Sequence, residues 1–319
     1  MSNQWIRKAN LIVSSGTNGL DLSELRFQFQ TRASDVSTPN TLHARIYNVK
    51  SDTAESLRKR EFTNITLQAG YENGKFGIIF SGEIKQVAIG RERNVDGFID
   101  VWAADTDRWH NFSVLNKSIS AGATPKDILD AIVSYQSANG VAPVKYASDV
   151  TGLIEGAALG VAQTLIRGKV LFGLSRDYVR DWAKTHEFWW SLQNGKFVLT
   201  PVTGYRVGEP IVISSATGMV GIPEAQTGGV KVRTLLNPEI AIGRLVQIAQ
   251  SDINRVVMQK NGLQYNAAAS AVPTTAAGFY RVMLAESQGD TRGTPWYTDL
   301  TCLGIDITAP DSNSSVVTN

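Results

Sequence analysis

Apolar and polar side chains alternate along the first hundred residues of the chain. Leu25, Phe27 and Phe29 are separated by polar residues, which is the period-two pattern of a strand with one buried face. Similar runs predict further strands at residues 42–47, Asn64–Tyr71, 76–89 and 98–104. Within this region Gly82 predicts a bulge or bend, and residues 52–59 predict a short helix with Ser51 as its N-cap. Residues 1–106 are therefore predicted to form a β-barrel or sandwich domain.

The pattern changes to helical spacing in the middle of the chain. Thr124 precedes Pro125 and an apolar i, i+3, i+4 series, which predicts a helix capped by Thr124. A second helix is predicted from Ser175, with Ser175 as its cap, and is followed by two strands joined at Asn194-Gly195, the strongest two-residue hairpin signal. Residues 107–206 are therefore predicted to be an α+β domain inserted between β regions.

Strand patterns return after residue 206. The predicted strands are 210–214, Gly229–Leu235, 244–250, 278–286 and 296–307. Gly289 and Asp290 are read as a turn between the last two strands. Residues 207–308 are predicted to form a second barrel, and the polar residues 309–319 a flexible tail. The fold class is thus mainly β with an α+β insertion.

Composition narrows the function. The chain has 319 residues, 19% charged, with a net charge of +2, so charge alone gives no reason to bind nucleic acid or anionic membrane. The low charged share is typical of a subunit that buries surface in an assembly. The N-terminus lacks the features of a secretory signal, and the apolar stretch 152–166 is too short to span a bilayer. We therefore expect synthesis in a reducing cytoplasm and no membrane span.

The sequence contains no motif that clearly indicates catalysis, cofactor binding or metal binding. No nucleotide-binding or nucleophile-elbow motif occurs, and His186-Glu187 lacks the second histidine of a zinc-protease helix. His186 is interpreted as a helix terminus with a partly charged imidazole, His110 as packing, and Cys302 as an inert buried thiol. The acidic residues Asp105 and Asp107 are interpreted as ordinary turn residues. No catalytic residue, cofactor or metal site is predicted.

Two features are candidate partner contacts. Gly152, Gly156 and Gly160 recur every four residues and would form a small-residue stripe on a helix that a partner orders. Trp189 and Trp190 fall on opposite faces of a strand, and core packing or a subunit contact is favoured over a carbohydrate platform.

Several phrases, in their order and spacing, resemble those of bacteriophage baseplate hub proteins from Mu-like contractile tails. They are Thr38-Pro39-Asn40, Ile46-Tyr47-Asn48-Val49, Ala69-Gly70-Tyr71, Ile79-Phe80-Ser81-Gly82, Gly122-Ala123-Thr124, Arg167-Gly168-Lys169-Val170, Trp190-Ser191-Leu192-Gln193-Asn194-Gly195, Val220-Gly221-Ile222-Pro223, Leu235-Leu236-Asn237-Pro238, Tyr280-Arg281-Val282 and Trp296-Tyr297-Thr298. The resemblance covers about residues 5–306, and the stretch 152–166 matches nothing shared.

The resemblance implies two tail-tube-like β-barrels flanking the α+β domain in a homotrimeric ring of the virion baseplate. Such a ring adapts a six-fold tube to a three-fold spike and lets DNA pass in transit. Its implied partners are the central spike, the tail tube or tube initiator, the tape-measure protein and other baseplate proteins. The alternatives are the hub of a tailocin or type VI-like device, a tail-associated cell-wall hydrolase, or a glycan-binding module.

Overall fold

The computed structural model describes residues 4–92, 96–137, 140–156, 164–226, 229–249, 259–260, 263–264 and 278–305. The strands are β1 (Arg7–Ser15), β2 (Asn18–Asp21), β3 (Phe27–Ser34), β4 (Thr41–Tyr47), β5 (Asn64–Tyr71), β6 (Phe76–Arg91), β7 (Gly97–Ala104), β8 (Val114–Ile119), β9 (Lys145–Tyr146), β10 (Lys169–Leu174), β11 (Phe188–Gln193), β12 (Lys196–Pro201), β13 (Ile211–Ile213), β14 (Met219–Gln226), β15 (Gly229–Leu235), β16 (Leu245–Ile248), β17 (Gln259–Lys260), β18 (Leu263–Gln264), β19 (Phe279–Asp290) and β20 (Trp296–Gly304). The helices are α1 (Ser51–Arg58), α2 (Asp107–Phe112), α3 (Pro125–Val133), α4 (Ser148–Gly156) and α5 (Ser175–Thr185).

The chain divides into two compact units. Among the described residues, unit 1 lies within Met1–Ser34, Thr41–Ala103 and Gly208–Ala309, and unit 2 within Asp35–Asn40 and Ala104–Val207. The three-domain division predicted from the sequence stays a prediction. The predicted flexible tail, 309–319, lies outside the described residues.

In the described part of the chain, unit 1 contains a 13-stranded, mostly antiparallel sheet. Its main path runs β14-β15-β20-β19-β3-β4-β7-β6-β5-β1-β2, with β13 and β16 attached beside β19. The N-terminal and C-terminal β regions meet where β19 pairs with β3, from Leu284 opposite Ser34 to Asp290 opposite Gln28. The predicted fold class, two tail-tube-like β regions with an α+β segment between them in sequence, is confirmed. The structure adds that the two regions share a sheet.

Two apolar cores hold this sheet. The N-terminal core contains Phe27, Phe29 and Leu67, all 2% exposed or less, and it also includes Trp296 from the C-terminal region. The C-terminal core includes Tyr280, whose ring is fully buried. Inward side chains alternate with more exposed ones along β3 and β4, as the sequence pattern predicted. Burial of these rows fixes the register, because a one-residue slip would turn each apolar row to solvent.

Unit 2 packs helices α3 and α5 with a three-stranded sheet, β11-β12-β9, and a two-stranded sheet, β10-β8. The predicted cap of α3 is present: the Thr124 side chain accepts from the Asp127 backbone, and Asp127 accepts from the Thr124 backbone. The indole of Trp182 donates to the Pro125 carbonyl at 2.9 Å, which ties α5 to the first turn of α3. A buried hydrogen bond of this kind fixes how the two helices pack.

Several local predictions were wrong. Helix α1 begins at Ser51 itself and has no side-chain cap. The bulge opposite Leu67 and Gln68 falls at Ile79, not Gly82, which pairs regularly with Ile65. Strands β1, β2, β8, β9, β10, β14, β17 and β18 were not predicted.

The start of α5 and the end of β19 also differ from prediction. Ser175 lies inside α5, because its hydroxyl contacts the Ser113 hydroxyl at 2.7 Å instead of capping the helix. Gly289 and Asp290 are the last two residues of β19, and the turn follows them. Gly289 lies too close to Phe29 and Trp296 for any side chain, so packing explains this glycine.

Candidate functional surface

One face of the unit 1 sheet carries polar side chains across six neighbouring strands, β15, β20, β19, β3, β4 and β7. Residues directly opposite each other in an antiparallel pair lie on the same face, so the register identifies its rows. One row runs Arg233, Asp299, Glu286, Arg32, Thr41, and the next runs Tyr297, Gln288, Gln30, His43. At about 4.8 Å per strand the face is roughly 24 Å across. We call it the polar face.

The first cluster on the polar face centres on Asp100 of β7. Its carboxylate accepts two hydrogen bonds from the Arg45 guanidinium, each 2.8 Å long. The guanidinium carbon of Arg45 lies 4.0 Å from the Phe98 ring centroid. Beside it, His43 stacks on Trp102 with 4.9 Å between ring centroids. Arg45 lowers the pKa of Asp100 and Asp100 raises the pKa of Arg45, so both groups stay charged.

The second cluster centres on Asp290, which is 4% exposed. Arg26 and Gln28 each donate a side-chain hydrogen bond of 2.9 Å to its carboxylate, and the Arg292 backbone donates another of 2.9 Å. Arg26 also covers the Tyr47 ring at 4.7 Å. Burial of Asp290 opposes ionisation, but these donors outweigh it and hold its pKa at about 2. The carboxylate therefore anchors the end of β19 to β3.

The third cluster repeats the arrangement at β15 and β20. Asp299 accepts from the Arg233 guanidinium at 2.6 and 2.9 Å, and Arg233 covers the Tyr297 ring at 4.2 Å. A looser pair, Arg32 and Glu286 at 3.5 Å, lies in the same row. A carboxylate, a guanidinium and an aromatic ring thus recur three times on the polar face.

These clusters make the polar face close to neutral. With Glu224 of the neighbouring strand β14 included, the register places six cations and five carboxylates among the described residues of this face, and one of the cations, Arg281, is only 1% exposed: Arg26, Arg32, Arg45, Lys231, Arg233, Arg281, Asp100, Glu224, Glu286, Asp290 and Asp299. Asp100 and Asp290 have lowered pKa values, whereas a general acid in a glycosidase needs a raised one. Neither of these two carboxylates is therefore suited to act as a general acid.

Unit 2 contains a buried carboxylate at the predicted hairpin. Asn194 and Gly195 form the turn between β11 and β12, with φ of +52° and +77°, as a type I′ turn requires. Their backbone amides donate to Asp105 at 2.5 and 2.8 Å, and the Thr106 hydroxyl donates at 2.7 Å. Burial raises the pKa of Asp105 although these hydrogen bonds oppose the rise.

Asn40 extends this network within unit 2. Its side-chain amide donates to the Leu192 carbonyl at 3.0 Å and to the Gln193 side chain at 2.8 Å, while its backbone carbonyl accepts from the Asp105 backbone N–H at 2.9 Å. The sequence did not predict that Asp105 would bond the hairpin turn, because Asp105 was interpreted as an ordinary turn residue. Nothing local in the sequence links Asp105 to a hairpin about ninety residues later.

The two tryptophans of β11 separate as the alternation predicted. Trp189 is 45% exposed, whereas Trp190 is 5% exposed and contacts the rings of Trp109 and Phe197. Trp190 is a core residue of unit 2. A partner contact at Trp189 stays a prediction.

The predicted glycine stripe is only partly described. Gly152 lies in α4, and a Cβ added to it would meet no heavy atom within 4 Å, so a side chain would fit there. Gly156 is the last residue of α4, and Gly160 lies outside the described residues. The stripe as a partner contact stays a prediction.

The β8–β10 sheet presents an apolar face that sequence reasoning missed. Val114, Val170 and Phe172 are exposed there, Phe172 by 71%, and Phe112 lies just before β8. Side-chain hydroxyls occupy both strand edges: Tyr178 bonds the Phe172 backbone, and Ser137 bonds the Val114 backbone. Strand addition is blocked at these positions, because their backbone groups are already bonded.

The remaining titratable candidates lie in packed surroundings. Burial lowers the pKa values of His110 and His186, so each imidazole is mainly neutral at pH 7. His186 lies at the C-cap of α5, as predicted, but burial disfavours the partly charged imidazole expected there, and its ring packs on Trp182 at 4.6 Å. His43, on the polar face, stacks on Trp102. Burial raises the pKa of Cys302 to about 12.

Among the described residues, no three His, Cys, Asp or Glu side chains are grouped so that they could hold a metal ion. Within the same ranges, no helix has the length and apolarity needed to cross a bilayer.

The structure is similar along nearly its whole length to several solved proteins. One is the 43 kDa tail protein of prophage MuSo2 from Shewanella oneidensis, with a TM-score of 0.54 and 8% identity, covering 93% of this chain and 98% of that one. Another is the tail protein from Neisseria meningitidis, with a TM-score of 0.51 and 8% identity, covering 94% and 97%. The chain has the fold of a phage tail protein.

The tail-protein fold extends to secretion machinery. An E. coli component of the type VI secretion system, described as structurally similar to the phage T4 tail proteins gp27 and gp5, matches with a TM-score of 0.51 and 9% identity, covering 92% of this chain and 76% of that one. No protein-family model matches the chain, and no curated protein matches it in sequence. At these identities the likeness shows the fold alone.

Proposed function

We propose that this chain is a structural hub subunit at the baseplate of a contractile phage tail. The observation that carries the proposal is the shared sheet of unit 1, in which two β regions of one chain are joined through β3 and β19. The match of the whole chain to phage tail proteins, in both directions of coverage, supports it. The polar face, with its paired carboxylates, favours a structural role over catalysis.

Two β regions in each chain would allow a three-fold ring to match a six-fold tail tube. Three copies would present six β regions to a six-fold tail tube, while the ring itself keeps the three-fold symmetry of a spike. A closed ring of identical chains requires heterologous interfaces, in which two different surfaces of the chain meet. Its partners would be the spike, the tube or tube initiator, the tape-measure protein and other baseplate proteins. DNA would pass through the ring, along the polar face.

The ring is testable by mass. The chain weighs 34.7 kDa, so size-exclusion chromatography with light scattering should give a trimer of about 104 kDa. Electron micrographs of the same peak should show a ring with a central opening. A monomer that persists at high concentration and in the presence of the phage's own spike would contradict the proposal.

The edge strand β14 offers a directed variant. It is the first strand of the sheet path, and Ile222 there is 66% exposed. An exposed apolar edge strand is suited to pairing with another chain. Ile222→Lys should shift the mass toward the monomer, whereas the control Val170→Lys, at an equally exposed valine of unit 2, should leave it unchanged. Equal effects of both variants would count against an interface at β14.

A second candidate is the hub of a tailocin or type VI-like injection device, and the match to a type VI component favours it. Neighbouring genes distinguish the two, since a phage operon carries capsid genes and an injection device carries effector genes. A glycan-binding module would use exposed Trp189. Binding on a glycan array that Trp189→Ala abolishes would support that role, and peptidoglycan cleavage would indicate a hydrolase instead.

A further inference from the structure

The three repeated clusters have a property that a simple stabilising role does not require. In each, the guanidinium lies between a carboxylate and an aromatic ring: Arg45 with Asp100 and Phe98, Arg26 with Asp290 and Tyr47, Arg233 with Asp299 and Tyr297. The carboxylates are the less exposed partners, at 6 to 18%, while the arginines are 31 to 45% exposed. The guanidinium groups are therefore exposed to solvent, but each is neutralised by a less exposed carboxylate.

Each component would otherwise bind nucleic acid. Free arginines pair with phosphates and release counterions, which is the main source of non-specific affinity for DNA. Open aromatic rings stack on unpaired bases, at about 1–3 kcal/mol per base. In the clusters, the carboxylate neutralises the arginine and the arginine covers the ring. Both means of holding DNA are thus removed on the same surface.

We propose that the polar face is a non-adhesive wall, neutralised from within so that double-stranded DNA passes along it without being held. The inference deepens the proposed function and rests on it, since it takes DNA as the passing partner. Gln30 and Gln288 add uncharged side-chain amides to the wall. A wall with unpaired arginines would bind each phosphate that passed and slow transit.

The test removes the four carboxylates and leaves the arginines in place. The variant Asp100→Asn/Glu286→Gln/Asp290→Asn/Asp299→Asn frees Arg45, Arg32, Arg26 and Arg233. A charge-matched control neutralises four exposed carboxylates elsewhere: Glu61→Gln/Glu72→Gln/Asp181→Asn/Glu209→Gln. Both carry four fewer negative charges than the wild type. Fluorescence anisotropy of a labelled DNA duplex is then measured for all three proteins across a salt series.

We expect the wild type and the control to show little binding, and the four-site variant to bind DNA. With four released guanidinium groups, the slope of log K against log salt should be about −3 to −4, which is a loss of about 100-fold between roughly 50 and 200 mM salt. Circular dichroism confirms that the variant is folded. If it does not fold, the double variant Glu286→Gln/Asp299→Asn changes the two most exposed carboxylates and should give a slope of about −2.

Three results would overturn the inference. Tight binding by the wild type would show an adhesive face, and no binding by a folded variant would show that the pairs only hold the sheet. Equal binding by the control would make net charge the cause. The trimer mass is measured separately, so a ring that fails to form refutes the proposed function without changing this DNA readout.

Discussion

The stability carried by Asp290 gives the sharpest single prediction. Asp290→Asn removes the charge and keeps the side-chain shape. The pKa of Asp290 is about 2 against an ordinary value of 3.8, and about 1.36 kcal/mol corresponds to each pKa unit. The carboxylate, 4% exposed, therefore contributes about 2 kcal/mol at pH 7. At about 2–4 °C per kcal/mol for a chain of this size, the variant should unfold about 4–8 °C lower.

The pH dependence tests the reasoning further. Because the folded pKa is lowered, the contribution of Asp290 is fully present above the unfolded pKa and is lost as the pH falls from about 4 to 2. The difference in stability between wild type and Asp290→Asn should therefore shrink over this range. Thermal unfolding is followed by far-UV circular dichroism at several pH values, with Asp181→Asn, on the exposed side of α5, as control. A difference that stays constant to pH 2, or is absent at pH 7, would refute the argument.

Three further predictions concern single sites. Gly195→Val should destabilise the protein by about 2 kcal/mol because φ is +77°, although no atom lies within 4 Å of the added Cβ. Gly195→Asn should destabilise it less, since asparagine tolerates a positive φ. Equal shifts in the unfolding temperature for both variants would refute the role of the turn. Asp105→Asn should cost about 3 kcal/mol in urea unfolding, because an amide nitrogen would then face the backbone N–H of Asn194 or Gly195; an unchanged midpoint would contradict this. Cys302, with a pKa of about 12, should react with a thiol reagent at pH 8 only after denaturation, and rapid labelling of the native protein would show that it is accessible.

Local chemistry decided which parts of the fold could be predicted. Thr124 before Pro125 specifies a helix start through bonds within three residues, and Asn194-Gly195 specifies a turn through two backbone angles. Such features need no distant partner. The alternation of Phe27 and Phe29 likewise reports a buried face without naming what covers it.

The missed features depend on residues far apart in the chain. Ser175 has the side chain of a helix cap, but Ser113 takes its hydroxyl. Asp290 was predicted to be a turn residue. Its carboxylate instead accepts hydrogen bonds from Arg26 and Gln28, more than 260 positions away, and these bonds hold the end of β19 to β3. The polar face is invisible in sequence because its rows cross strands from both ends of the chain.

Strand β19 has a practical consequence for dissecting the molecule. Its first residues pair with β16, its last ones with β3, and β20 lies along its other side. A gene cut into N-terminal and C-terminal halves would leave the hydrogen-bonding groups of β3 open in one product and those of β19 open in the other. Exposed strand edges of this kind pair readily with other extended chains. The two fragments should therefore precipitate when produced apart and stay in solution when produced together.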